Sequence, residues 1–230
     1  MIFQGKIREA ISHFNRTLLN KPDHPEALMW LWWWYLFLGK PDTAISIREK
    51  LIKIDPVNPI YNSRGMDHFM IGQFNLVLDP LFELYRLFPE GSMWQLWKTL
   101  ALMYNDRSSE ACDFLKETVK EPGQDAIASL LIFLKYALIG EKEKLSSLLT
   151  PDFVKAMQTD CQYSWHMAAF YSYLGDKEKS LDWLENSVDR GFINHPFLNQ
   201  YDPLLENIRS EERFKNLMER VKYEWENFKV

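Results

Sequence analysis

Cysteine is scarce in this sequence. Cys112 and Cys161 are the only two among 230 residues, they lie far apart, and they form no CxxC pair. That spacing offers no disulfide framework, and a reduced, cytoplasmic setting is the expectation. Basic runs are missing as well, and the formal net charge is −5. Nucleic acid is therefore not expected as a partner, because phosphate binding needs clustered Lys and Arg. No apolar stretch reaches the roughly 20 residues of a bilayer-crossing helix. Met1-Ile2-Phe3-Gln4-Gly5-Lys6 lacks the basic segment followed by an apolar one that marks a secretory leader. P-loop, GxGxxG and Ser-His-Asp arrangements are absent. The histidines His13, His24, His68, His166 and His195 show no metal-ligand spacing, and Cys161 with His166 supplies only two ligands. No catalytic residue, cofactor or metal is expected.

Apolar residues, in contrast, make up 47% of the chain, enough for a large core. Leu28 to Leu38 is an unbroken apolar run that includes Trp30, Trp32, Trp33 and Trp34, and it stops at Gly39-Lys40. It is too short to span a membrane and too long for an ordinary strand. A helix apolar all round belongs where neighbours cover several of its sides. Pro41 to Ile54 follows as an amphipathic helix closed by Asp55-Pro56.

This helix pair recurs. Gly5, Gly39 and Gly72 are spaced by 34 and 33 residues, Asn105 follows after 33, and Gly140 and Gly175 after 35 each. Pro22, Pro56, Pro89 and Pro122 run in parallel at 34, 33 and 33. Glycine, or asparagine in its place, suits the left-handed turn that ends a helix. Two punctuation series at one period mark an internal repeat of helix pairs.

The residues at this period resemble the tetratricopeptide repeat. Ala10, Phe14 and Pro22 match the second half of its pattern, so the first unit lacks its first helix and the chain begins within a repeat or is cut from a longer protein. Leu31, Trp32, Tyr35, Gly39, Ala44 and Pro56 sit at the family's positions in the second unit, with Arg48 where a large apolar residue is usual. In the third unit Gly65, Gly72, Leu81 and Pro89 fit, and Val77 replaces a small residue. Trp97, Ala111, Leu115 and Pro122 fit the fourth after a one-residue slip past Asn105. The fifth is irregular over 141–160: Gln124 to Ile139 reads as a helix, and Thr150-Pro151 as the cap and first residue of a short extra helix to Gln158. The sixth, Cys161–Leu174 and Lys177–Arg190, is regular, with Ser180, Leu184 and Ser187 as small, large, small.

The resemblance implies an all-α fold, a right-handed superhelix of about five and a half helix pairs over residues 1–190. Residues 191–230 form an extension and a capping helix. That helix reads from Glu211, capped by Ser210, to about Phe228, with Phe214, Leu217, Val221, Trp225 and Phe228 on one face. Tyr173-Leu174-Gly175-Asp176-Lys177, Arg190-Gly191-Phe192, Asp202-Pro203, Leu205 and Arg213-Phe214 also resemble the closing segment of tetratricopeptide regions in bacterial signalling proteins, including adenylate-cyclase-like proteins, winged-helix regulators and serine/threonine kinases.

Stacks of this family bind partners mainly in a concave groove lined by the first helix of each pair. The resemblance therefore implies a non-catalytic scaffold for a protein or peptide. It places Met29, Trp33, Met66, Phe69, Met70, Trp165 and Tyr173 as apolar anchors, and Asn62 and Gln95 as groups that bond a partner's backbone. A Met-rich aromatic groove suits adaptable packing against an apolar peptide or helix. The clamp that holds chaperone tails is not expected, since Met29 and Trp33 stand where it needs polar residues. Two alternatives stay open: an open groove, or one filled by the chain's own segment 151–158 or 192–206 as part of a larger regulatory protein. Ile7, Ile11, Phe14 and Leu18 form an apolar face on the first helix through which a homodimer is expected.

Overall fold

The computed structural model describes residues 6–119 and 125–229. Gly5 and Pro122 of the two punctuation series, and Gln124 at the expected start of the fifth unit's first helix, lie outside these residues. All regular structure among the described residues is helical. In chain order the helices are α1 (Ile7–Asn20), α2 (Pro25–Phe37), α3 (Pro41–Ile54), α4 (Pro59–Asn62), α5 (Gly65–Met70), α6 (Leu78–Leu87), α7 (Ser92–Met103) and α8 (Ser108–Thr118). Then follow α9 (Ala126–Ile139), α10 (Lys142–Leu148), α11 (Pro151–Gln158), α12 (Cys161–Tyr173), α13 (Lys177–Asp189) and α14 (Glu212–Glu226). Among the described residues no helix is long and apolar enough to cross a membrane.

Local chemistry sets the boundaries. Proline occupies the start of α2, α3, α4 and α11, where its fixed φ fits and no N–H is lost. Thr150 caps α11 by accepting a hydrogen bond from Phe153 N at 3.2 Å. The turn after α2 needs Gly39 at φ +64°. Asn105 does not take the equivalent left-handed role in the fourth unit. Asp106 does, at φ +58°, and the Asn105 amide instead donates to Phe74 O and Ala101 O. The slip at this point is that displacement of the turn by one residue. At the other end, α14 begins at Glu212 after Glu211 and receives no side-chain cap, so Ser210 does not cap it.

The third unit departs most from the expected pair. Its first helix breaks at Ser63-Arg64 into α4 and α5, and a 3-10 turn, Phe74–Leu76, precedes α6. Arg48 explains itself here. Its Nε lies 2.6 Å from Asp67 Oδ2, with both side chains almost fully buried, and its Nη1 donates to Tyr61 O. Asp67 Oδ1 also accepts from Trp32 Nε1 at 2.8 Å. One buried carboxylate thus ties α2, α3 and α5 together.

The inner helices meet in an aromatic core. Trp97 of α7 lies 6.1 Å from Trp33, 5.1 Å from Phe69 and 6.4 Å from Trp165 between ring centroids. The segment after α13 enters this core. Phe192 packs on Phe37 at 5.0 Å and on Trp165 at 5.3 Å, and Phe197 packs on Phe69 and Trp165 at 5.8 and 5.4 Å. Each such ring contributes about 1.5–3 kcal/mol by burial and somewhat more through edge-on contacts. Polar anchors fix the segment. Asn194 Nδ2 donates to Leu36 O and Met70 O, and Asp202 accepts from Tyr104 Oη and Trp165 Nε1, both at 2.7 Å. A Cβ at Gly39 would strike Asn194 and Trp225, and one at Gly72 would strike Tyr201, whereas Gly140 and Gly175 have open space there. The chain is seated on two of its own periodic turns.

The last helix also reaches the first. Phe214, Leu217 and Val221 are buried on the expected face of α14, which packs on α13. Beyond them Trp225 Nε1 donates to Gly39 O, Lys40 Nζ donates to Trp225 O, and Arg8 Nη1 donates to Lys229 O. Arg8 also lies 4.5 Å from the Phe228 ring. The α1 face expected to be unpartnered is partly covered within the chain: Ile7 and Ile11 are buried, Ile7 against Gly191, while Phe14 and Leu18 are half-buried.

Candidate functional site

Four inner helices leave a pocket where they begin. Met29, Trp30, Trp32 and Trp33 of α2, Ile60 of α4, Met93 and Trp94 of α7, and Gln162 and Tyr163 of α12 enclose about 200 Å³. The volume holds one compact group, less than a drug-sized molecule requires. Its wall is positioned from behind. Trp33 sits edge-on to Trp32 and to Trp97, Trp94 stacks on Phe88, and Trp97 Nε1 donates to Met93 Sδ at 3.2 Å.

The polar groups of the wall are those of Gln162 and Tyr163, and His166 backs the first of them. Gln162 Nε2 and His166 Nε2 are 3.4 Å apart. His166 is fully buried among Trp97, Trp165 and Phe170, and burial pushes its pKa down to about 3. At the start of α12, Asp160 Oδ1 accepts from Gln162 N and Tyr163 N. Burial raises the Asp160 pKa to about 6 against the pull of these bonds and of Arg190. The Tyr163 phenol is pushed up to about 12, first by burial and then by the Asp160 and Asp125 carboxylates.

These shifts predict a pH profile. Below about pH 6.5 the unfolded chain protonates His166 and the folded chain does not, so the neutral imidazole's contribution is complete above 6.5 and is lost as pH falls toward 3. Asp160 works oppositely, because the folded chain holds its proton between about pH 3.8 and 6. In His166→Gln the first effect vanishes and the second remains. Between pH 7 and pH 4 the variant is expected to gain about 3 kcal/mol relative to the unmodified protein. Urea midpoints at both pH values measure this, and parallel profiles for the two proteins would refute the assignment to His166.

The nine residues singled out from the sequence fall in different places. Met29 and Trp33 line the pocket together. Met66, Phe69, Met70 and Trp165 are 2%, 0%, 2% and 0% exposed in the core, where Phe69, Met70 and Trp165 lie against the segment that carries Asn194 and Phe197. Buried in this way, they offer no surface to a partner. Asn62 donates to Pro56 O and Asn58 O, and Gln95 donates to Pro89 O. These amides close equivalent turns in successive units, so their N–H groups are engaged by the chain's own backbone. Tyr173 is 39% exposed, at the opposite end of α12 from the pocket. Trp30, Ile60, Met93, Trp94 and Tyr163 were not among the residues expected from the sequence. Met93 and Trp94 directly precede Gln95, and a register shift of one or two residues would have found them.

Among the described residues no group of three His, Cys, Asp or Glu side chains is placed to hold a metal ion. No protein-family model matches this chain.

Proposed function

We propose that the chain is a non-catalytic recognition module built as a tetratricopeptide-like stack of helix pairs, which holds an apolar element of a protein or peptide partner. The observation that carries this reading is the division of the inner surface. One part is occupied by the chain's own Phe192–Ile208 segment, and the remainder is the pocket of Met29, Trp30, Trp33, Met93, Trp94 and Tyr163. An accessible pocket of aromatic and Met side chains suits adaptable packing against an apolar group. A cytoplasmic setting accords with the free Cys112 and Cys161.

The test is a pull-down from the source cell's extract with the unmodified chain and with Met29→Glu/Met93→Glu. Both methionines are half-buried at the pocket, so the variant is expected to keep its helical circular dichroism and lose the partner. Equal retention by both proteins would refute the pocket as the binding surface. Glutamate at Met66 or Met70 is unsuitable, because it would place a carboxylate in the core and unfold the chain.

A second reading is that the chain regulates a larger signalling protein. It is favoured by the role of the residues that carry the signalling-protein resemblance: Phe192, Asp202 and Leu205 are buried in the segment that fills the core. A native species near 27.4 kDa in cell extract would refute it.

A further inference from the structure

The pocket's wall and its surrounding charge point to one class of occupant. Its lining includes three indoles besides that of Trp32, one phenol and two thioethers, and among the described residues neither Lys nor Arg lines it. Carboxylates stand near three of its walls. Glu26 lies one helical turn before Met29 and Trp30 and is exposed. Asp125 caps α9 and accepts from Ser92 Oγ at 3.1–3.2 Å, beside Met93. Asp160 stands directly before α12, with Arg190 partly offsetting it. Asp125 and Asp160 both act electrostatically on Tyr163, so the negative field reaches the wall itself.

An aromatic wall under a negative field attracts a cation through the ring quadrupoles. The same chain uses this chemistry elsewhere: Lys98 Nζ lies 4.1 Å from the Tyr85 and Phe114 ring centroids and 4.9 Å from that of Phe82. The number of acceptors distinguishes the type of cation. A primary ammonium brings three donors that must be satisfied once water is removed, and the pocket offers little beyond the Gln162 amide and the Tyr163 hydroxyl. A fully methylated nitrogen brings none.

We propose that the pocket binds a compact trimethylammonium head, carried by a free choline-type molecule or by a methylated lysine side chain. The inference rests on the reading of this pocket as the recognition site and names its chemistry. Glu26 and Asp125 set the preference for charge, and Trp30, Trp33, Trp94 and Tyr163 form the cage.

The full chain is titrated with choline, with its uncharged carbon isostere 3,3-dimethylbutan-1-ol, and with a short peptide containing trimethyllysine, by calorimetry and Trp fluorescence. Choline is expected to bind about 3–30-fold more tightly than the isostere. Glu26→Gln/Asp125→Asn, which keeps the α9 cap, is expected to reduce that ratio about 3-fold or more and to leave isostere binding unchanged. A peptide that binds more tightly than choline supports a protein source, and the reverse order supports a free ligand. Equal binding of choline and isostere overturns the cation inference and leaves the pocket an apolar site. Binding of neither overturns the cation inference, and a partner still retained by Met29→Glu/Met93→Glu overturns the pocket reading as well.

Discussion

Asp202→Ala is expected to destabilise the protein by about 3–5 kcal/mol, a large part of a domain's net stability. The carboxylate is fully buried and accepts from Tyr104 Oη, Trp165 Nε1 and Leu204 N at 2.7, 2.7 and 3.0 Å. Alanine leaves three donors without an acceptor in a dry core, and that cost exceeds the value of the bonds themselves. Burial raises the carboxyl's pKa, and the hydrogen bonds from Trp165, Tyr104 and Leu204 pull against that rise. Asp202→Asn keeps the shape and one acceptor, and is expected to fall between alanine and the unmodified protein. Urea unfolding followed by Trp emission measures both. A loss below about 1 kcal/mol for alanine would show that Asp202 does not anchor the segment.

Arg48→Met is expected to cost a similar 3–5 kcal/mol, by a different route. The pair with Asp67 is closed at 2.6 Å with both side chains about 4–5% exposed. Methionine fills the volume of the arginine stem and strands the carboxylate. Arg48→Met/Asp67→Asn removes the stranded charge and keeps an acceptor for Trp32 Nε1. It is therefore expected to recover more than half of the loss, as buried pairs do when both partners become neutral. A double-mutant cycle with Asp67→Asn is expected to give a coupling of at least about 2 kcal/mol. Additive single losses would show that the two residues do not act as a unit.

Arg48 also illustrates what the sequence could tell. It stood out as a charge on a face that the pattern reserves for apolar residues, and that anomaly was legible. Its partner was not, because Asp67 lies 19 positions away, across a break in the third unit's first helix that no punctuation marks. The helix boundaries were mostly legible, since proline, the capping side chains and the left-handed turns act within a few residues. Thr150-Pro151 opened α11 as its chemistry requires. The inner surface was harder. Periodicity places Met66, Phe69, Met70 and Trp165 on an inward face and is silent on what lies against that face. Phe192 and Phe197 reach it from more than 20 residues beyond Trp165, in a stretch without helical period. Asn62 and Gln95 had the right chemistry to bond a backbone, and the backbone they bond is their own.

Tying α1 and α2 to residues 225–229 changes how the molecule comes apart. In an open array of repeats each unit touches only its neighbours, so the outermost units fray first and folding spreads from any point. Here Arg8 and Lys229 are bonded across 221 positions, and Gly39 carries both Asn194 and Trp225 on its surface. Loosening either edge breaks contacts made by the other. The protein is therefore expected to unfold in a single concerted melt rather than piecemeal, and to assemble more slowly than its local helices alone would allow.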